Sequence, residues 1–556
     1  MKKKYIFVSG GVISGLGKGI STASIALLLK NSGYKVTPIK FENYLNIDAG
    51  TINPIEHGDP FLCDDGTEAD MDMGTYEKYL DMNMSRVNFV TMGQIYREVI
   101  EKERRFEYMG EDVQEVVHIT GEIMKRIETA MNATKSDIAV IELGGTAGEY
   151  QNILYYEASR MLTFRNPGDV IHIHVSYLPT PHHLGEPKTK PAQLSVRTVN
   201  SMGIQPDMLI ARSDKPIDDR RKERLALFCN IHEEDVISSY DVPNVYQIPM
   251  IMEKQHITER ICKKLGIPYK KPNMTKWNAM VDHILAKKKK SITIAIIGKY
   301  FSTGDYQLKD SYAALFDAID HAAVPNDVEI DIKWINAQKV EKDGAAKYLK
   351  GVDGIIVPIG WGKRGAEGMI QAASYAREHK IPYLGLCYGM QLAAVAFARD
   401  VLKFLDANTV ENDTKSKHPV IHLIPSQADI IKRRAYGGTM RLGSWEAKID
   451  KNSYAYKIYN TYDGLADKAK GLVWERHRHR YEFNDEYADQ FEKAGMHISA
   501  RSIVENLAEI IELDPKTHPF YIGIQGHPEY KSRPLAPHPL FLGFIKACID
   551  NQKMVK

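Results

Sequence analysis

The chain has 556 residues, 44% of them hydrophobic and 26% charged, with a formal net charge of +2 at pH 7. That length favours two or more domains, and near-neutrality removes any general electrostatic case for binding nucleic acid or membrane. A polyanion site must be built locally from a few placed lysines and arginines. The start MKKKYIFVSGG lacks the long apolar run of a signal peptide, and no stretch reaches membrane-spanning length. Cys63, Cys229, Cys262, Cys387 and Cys548 form no CxxC pair, so a cytoplasmic location is expected, without disulfides or zinc.

In chain order, YIFVSG reads as the first buried strand. It runs into GGVISGLGKGISTAS and a helix predicted over Ser21–Asn31. Glycines there let backbone N–H groups converge on phosphate oxygens, Lys18 adds charge, and the helix N-terminus adds its partial positive charge. The match to G-x-x-x-x-G-K-[ST] is imperfect: position 12 is valine, the glycine comes one place early at Gly11, and Gly19 follows Lys18. KVTPIKF, DIAVIEL, VIHIHVSY and DMLIARS read as further parallel strands, with amphipathic stretches such as Thr120–Met131 between them. Asp70 and Asp72 face one way in an extended segment, and Glu142 ends DIAVIEL just before GGTAGE; such carboxylates beside a phosphate loop suit Mg2+. In GEPKTKPAQLS, Lys188 and Lys190 either clamp a second triphosphate or stand solvated. Near 268–290 the texture shifts to prolines, one short helix and the run Lys287–Lys290, read as a solvated linker.

A second α/β series follows: SITIAIIGKY, DGIIVPIG, IPYLGLC and FYIGIQGHPEY. Strand, sharp turn and helix around G-L-C-Y-G make Cys387 the cysteine counterpart of a nucleophile elbow, where the helix N-terminus favours thiolate. Downstream, His527 serves as base and acid, and Glu529 orients its imidazole. Backbone N–H groups near Gly360 and at Tyr388 are the candidate oxyanion donors. Glu411 is placed to take the ammonium of a glutamine substrate and Arg480 its carboxylate. ERHRHRYE, taken alone, reads as a surface charge run or nucleic-acid patch.

YIFVSGGVISGLGKG, NIDAGTINPIEHG, TEADMDMGTYE, ELGGTAGE, KTKPAQLSVR, ALFCN, GLCYGMQ, GGTMRLG, ERHRHRYE and GHPEY followed by SRP together resemble the CTP synthase family over nearly the whole chain. The resemblance implies an α/β fold of two doubly wound domains. An N-terminal P-loop, dethiobiotin-synthetase-like parallel sheet spans 1–268, a linker 269–290, and a class I glutamine amidotransferase, flavodoxin-like sheet 291–556. It implies ATP at Ser14, Gly15, Leu16, Gly17, Lys18, Gly19, Ile20, Lys40, Asp72, Arg212 and Asp241, the last two near adenine, with Mg2+ on Asp72 and Glu142. UTP is implied at Ser14, Lys188, Lys190, Gln193 and Arg224, and feedback CTP at those residues and Glu149. Cys387, His527 and Glu529 become the triad, with glutamine at Gly360, Tyr388, Gln391, Glu411 and Arg480.

The implied activity is the last step of de novo CTP synthesis. ATP phosphorylates the C4 oxygen of UTP, and ammonia released from glutamine crosses an internal channel and displaces the phosphate. GTP is the implied activator, and the assembly a homotetramer with UTP sites between subunits, with filaments as a further form; nucleic acid and membrane are not partners. Rival readings are another P-loop amidoligase fused to a glutaminase, such as a cobyrinic acid amide synthase, or a catalytically weak regulatory homologue.

Several positions depart from the family pattern. Pro358-Ile359-Gly360-Trp361-Gly362 replaces P-G-G-F-G, and β-branched Ile359 disfavours positive φ, which matters if that position needs φ > 0 or must flip its peptide to form the oxyanion hole. Tyr388 stands for leucine, Gly526 for an aromatic residue, Ala192 and Leu194 for threonine and histidine, Arg224 for lysine, and Gln151 for an acidic residue. The loop FSTGDYQLKDSY, where the family responds to GTP, is longer than expected.

Overall fold

The computed structural model describes residues 2–53, 58–183, 185–303, 306–307 and 310–555. The chain forms two compact units, one of Met1–Asp48 with Asp72–Leu285, the other of Ala49–Met71 with Ala286–Lys556.

The first unit is built on seven parallel strands: β1 (Lys4–Gly11), β2 (Val36–Glu42), β3 (Phe89–Thr91), β4 (Ile138–Leu143), β5 (Val170–Tyr177), β6 (Met208–Ser213) and β7 (Val236–Tyr240). Their order is β3-β2-β4-β1-β5-β6-β7. The strands carry near-continuous Val/Ile/Phe runs because helices cover both faces of a parallel sheet. The chain first winds to one side of β1 and then to the other, so the carboxyl ends of β1 and β4 meet at a topological switch point, where open α/β sheets bind ligands. The short strands β3 and β7 were not read from sequence. The short helix read within 268–290 is Thr275–Leu285, which buries Trp277 against Tyr79 and Tyr246, and the indole N–H donates to the Tyr246 carbonyl at 2.8 Å.

The second unit is built on a sheet of nine strands: β8 (Ser291–Gly298), β9 (Glu329–Asn336), β10 (Gly354–Val357), β11 (Tyr383–Leu386), β12 (Arg441–Ile449), β13 (Leu472–His479), β14 (Met496–Ser502), β15 (Ala508–Leu513) and β16 (Tyr521–Ile524). They run in the order β9-β8-β10-β11-β16-β15-β14-β12-β13. The first five are parallel in the 2-1-3-4-5 order of flavodoxin-like sheets. The remaining four extend the sheet by antiparallel pairing. The segment 49–71 belongs to this unit, with a two-stranded ribbon of Phe61–Leu62 and Glu68–Ala69.

Candidate active sites

In the first unit, β1 feeds the glycine-rich loop and then helix α1 (Lys18–Asn31). Gly17 caps α1 at φ 90°, with no side-chain cap and no acidic residue in the first turn, so the first N–H groups face outward for an anion. Val12 sits at φ 84°, a strained state for a β-branched residue, at the place where the strict motif has glycine. Ser14 at the loop tip is exposed and Leu16 is buried. The Lys18 ammonium donates to the Gly145 carbonyl; burial and then the Lys40 charge push its pKa down.

Beside α1 lies a carboxylate cluster. Buried Lys40, on β2, reaches Asp72 at 2.5 Å, Glu142 at 2.8 Å and Glu42 at 2.9 Å. Burial opposes its charge, but the three carboxylates outweigh burial and hold Lys40 well above the usual lysine range. Burial and then the neighbouring Asp72 raise Glu142. Burial also acts to raise Asp72, but Lys40 outweighs it and lowers the carboxyl. A Cβ on Gly19 would lie 2.1 Å from Asp72 Oδ1 and 3.6 Å from Glu142 Oε2, so both acids converge on the start of α1. Three carboxylates around one ammonium leave negative charge over. Two hard oxygen donors beside a phosphate loop fit Mg2+, which takes its other ligands from phosphates and water. No cluster of three or more His, Cys, Asp or Glu able to cage a metal occurs among the described residues.

Lys188, Lys190, Gln193 and Arg224 line one cavity of about 330 Å³ with Arg220 and Arg221. The sequence reading named the first four and missed the last two. Glu186 pairs with Lys188 and Arg221, keeping the cations in place without neutralising them all. Arg212 ion-pairs with Asp241. Glu149 accepts hydrogen bonds from Thr146 N–H at 2.8 Å and Asn43 Nδ2 at 3.0 Å. A further link has no sequence signature. Buried His174 is hydrogen-bonded to Ser9 at 2.8 Å and to Ser195 at 2.7 Å, tying β1 to the helix Lys190–Ser201 that carries Gln193.

In the second unit, Cys387 sits between β11 and the helix Tyr388–Asp400 at φ 50°, ψ −100°. This strained turn is affordable because the flanks are glycine: a Cβ on Gly389 would lie 2.0 Å from the Val357 carbonyl. Gln525 Nε2 donates to Cys387 Sγ at 3.5 Å, and Gln391 bonds Gln525 at 3.1 Å. His527 Nδ1 meets Glu529 at 2.8 Å, both buried, while Nε2 has no hydrogen bond among the described residues. Burial works against the imidazolium, but the Glu529 carboxylate and then the Cys387 sulfur outweigh it and push His527 up to about 10.

The loop after β10 is pinned at nearly every polar handle. The Ile359 carbonyl accepts from Tyr312 at 3.3 Å, Trp361 N–H donates to the Tyr300 hydroxyl at 3.1 Å, and Gly362 N–H donates to Glu411 at 2.7 Å. Gly360 N–H and Tyr388 N–H make no hydrogen bond among the described residues. Ile359 is not among the residues at positive φ. The expected conflict between a β-branched side chain and a left-handed backbone therefore does not arise: Ile359 is simply a buried core residue. Arg480 donates to Gln427, to the Tyr436 carbonyl and to the Thr439 hydroxyl, which places it on the segment 427–439. Much of loop 301–312 lies outside the described residues.

A family model described as CTP synthase N-terminus matches residues 4–267, and one described as glutamine amidotransferase class-I matches residues 307–547. The chain is 44% identical over 553 residues to a CTP synthase from Clostridium kluyveri, covering 99% of each chain. It is 45% identical over 552 residues to a CTP synthase from Pyrococcus abyssi, covering 99% of this chain and 98% of the other.

The chain belongs to the CTP synthase family. Among solved structures, the CTPS glutaminase domain of Trypanosoma brucei with bound acivicin is 33% identical and covers 47% of this chain and 94% of that one, with a TM-score of 0.41.

For a CTP synthase, the run Arg476–Arg480 is no surface patch. Arg476 is wholly buried and bonds Asp64 at 2.6 Å and the Leu62 carbonyl at 2.9 Å. Arg478 pairs with Glu68 at 2.6 Å and lies over the Trp361 ring at 5.4 Å. His477 and His479 face Arg441, which pairs with Glu509 at 2.8 Å. The charge run is an internal frame, because each cation on β13 meets an acid or carbonyl that sequence cannot pair with it.

Proposed function

We propose that this chain makes CTP from UTP, ATP and glutamine. The observation that carries the reading is the strained Cys387 elbow with its buried His527–Glu529 pair, on a chain whose other unit joins a glycine-rich loop to a carboxylate cluster. Cys387 Sγ, its proton resting on His527, attacks the glutamine amide carbon, and His527 passes that proton to the departing nitrogen, which leaves as ammonia. Gly360 and Tyr388 N–H groups receive the oxyanion, and water then resolves the thioester to glutamate. Glu411 takes the substrate ammonium, with Gln391 and Arg480 completing the glutamine pocket.

In the other unit the γ-phosphoryl group of ATP moves to O4 of UTP, breaking the β–γ bridge and leaving ADP. Ammonia then adds at C4 and phosphate departs. Ser14 to Ile20 hold the ATP phosphates and Lys18 offsets their charge. Lys40 fixes Asp72 and Glu142, which would hold Mg2+; when bound, that ion would supply neutralisation of the charge on the triphosphate. Arg212 and Asp241 frame the adenine side. Lys188, Lys190, Gln193 and Arg224 take the UTP triphosphate, and CTP as inhibitor uses them with Glu149. GTP as activator rests on the family resemblance alone. A cytoplasmic site of action is supported by five cysteines that are all free. A homotetramer is supported by Phe106, Met109, Val117 and Phe164, apolar side chains exposed on the first unit.

The reading as a weak regulatory homologue rested on a positive φ at Ile359, and Ile359 is not among the residues at positive φ. Incubation with UTP and ATP plus either glutamine or ammonia, with CTP measured by chromatography, tests the proposal. CTP from both nitrogen sources is expected, and none from either would overturn it.

A further inference from the structure

The Tyr388 side chain, apart from its backbone N–H, performs a task that the reaction scheme leaves unassigned. Its hydroxyl donates to the Gly362 carbonyl at 3.0 Å and is bonded by Asn412 Nδ2 at 2.7 Å. Its ring packs against Gly360, where an added Cβ would stand 3.1 Å from Tyr388 Cδ1. The Lys299 ammonium lies 4.3 Å from the centre of the same ring and donates to the Trp361 carbonyl at 3.0 Å and to the Gly362 carbonyl. Tyr388 is 2% exposed, and its partners Gly362 and Asn412 are partly buried. The residue that follows the nucleophile thus reaches across to the loop carrying the other oxyanion donor and fastens it, while leaving Gly360 N–H unspent.

We infer that Tyr388, through its hydroxyl and Asn412, is a positioning residue that holds the 360–362 loop in register with Cys387 before glutamine arrives. Two donors serve an oxyanion only if both are aimed at one point, and a loop fixed in advance needs no reorganisation as charge develops. A hydroxyl that acts only on the loop affects the transition state more than substrate binding, so it is read in kcat and not in KM.

This inference rests on the glutaminase reading of Cys387, and Cys387→Ala checks that reading separately: it must lose glutamine-dependent synthesis and keep ammonia-dependent synthesis. Tyr388→Phe deletes only the hydroxyl, and Asn412→Ala deletes its partner. For each, glutamine-dependent kcat is expected to fall about tenfold, a fraction of the loss on deleting a donor outright. KM for glutamine and the ammonia-dependent rate should hold, and the double variant should be little worse than either single. The inference is overturned if the glutamine kcat of both singles matches wild type, if only KM moves, or if glutamine- and ammonia-dependent rates fall together, which would mark a general structural defect.

Discussion

At the scale of single residues, His527 carries a distinctive electrostatic consequence. Its ordinary imidazole value is 6.5, and Glu529 with Cys387 lifts it to about 10 against the opposing effect of burial. A folded-state pKa above the unfolded one means that the folded protein holds a proton the unfolded chain has lost. The resulting stabilisation is full below about 6.5 and disappears as pH rises through about 10. Imidazole nitrogen NMR, assigned with His527→Gln, is therefore expected to show His527 protonated at pH 8. In Cys387→Ala one of the two groups that raise it is gone, so the midpoint should move down. A neutral His527 at pH 7 in the wild type would contradict this electrostatic picture. The Cys387 turn and the His527–Glu529 pair were legible in the sequence because an elbow and H-P-E are local patterns. The Tyr388 hydroxyl, Asn412, His174 and Ser195 were not, because their roles rest on contacts between distant segments.

Elements fix the rest of the site, and two of them invite direct tests. The loop Pro358–Gly362 holds Ile359 outside the positive-φ region, with its side chain in the core. Ile359→Gly therefore offers no relief of strain and removes a buried branched side chain. Glutamine-dependent activity should stay level or fall, with a stability loss of about 2–5 kcal/mol by analogy with large-to-small core changes. A selective rise with glutamine would show instead that the isoleucine handicaps the oxyanion hole. Strand β13 is the second case. Arg478→Ala leaves Glu68 buried without its cation, and the expected cost is about 3–5 kcal/mol, read as an earlier denaturant transition in the glutaminase unit. Replacing the pair together by apolar residues should recover most of it, whereas an Arg478→Ala protein as stable as wild type would make the pair dispensable. Most parallel strands were readable from their unbroken apolar runs, but the runs in β3 and β7 are too short and β9 alternates apolar with charged residues. Strands β12 to β15 were not, since their pairing is antiparallel and charged residues on β13 point into the interior, so composition there resembles a surface.

On the scale of the whole molecule, two chemistries share one chain, and variants should sort by unit. Lys18→Ala, Asp72→Ala and Glu142→Ala each remove charge from phosphoryl transfer, so CTP formation should stop with glutamine and with ammonia alike, while glutamine hydrolysis persists. Cys387→Ala should do the reverse, losing glutamine as a nitrogen source and keeping ammonia. A mixture of the Lys18→Ala and Cys387→Ala proteins then asks how nitrogen travels. The first still releases ammonia and the second still aminates UTP, so all the required activities are present in the tube. A source carried on the same molecule supplies its acceptor at an effective concentration of about millimolar, against far lower levels for ammonia diluted into bulk. At neutral pH that bulk ammonia is also largely protonated and cannot attack C4. The mixture should therefore make CTP from glutamine much more slowly than wild type at equal site concentration, and gain as pH is raised or as external ammonia accumulates. Wild-type rates from the mixture at neutral pH would show that ammonia passes through solution, and that joining the two units in one chain serves some purpose other than delivery.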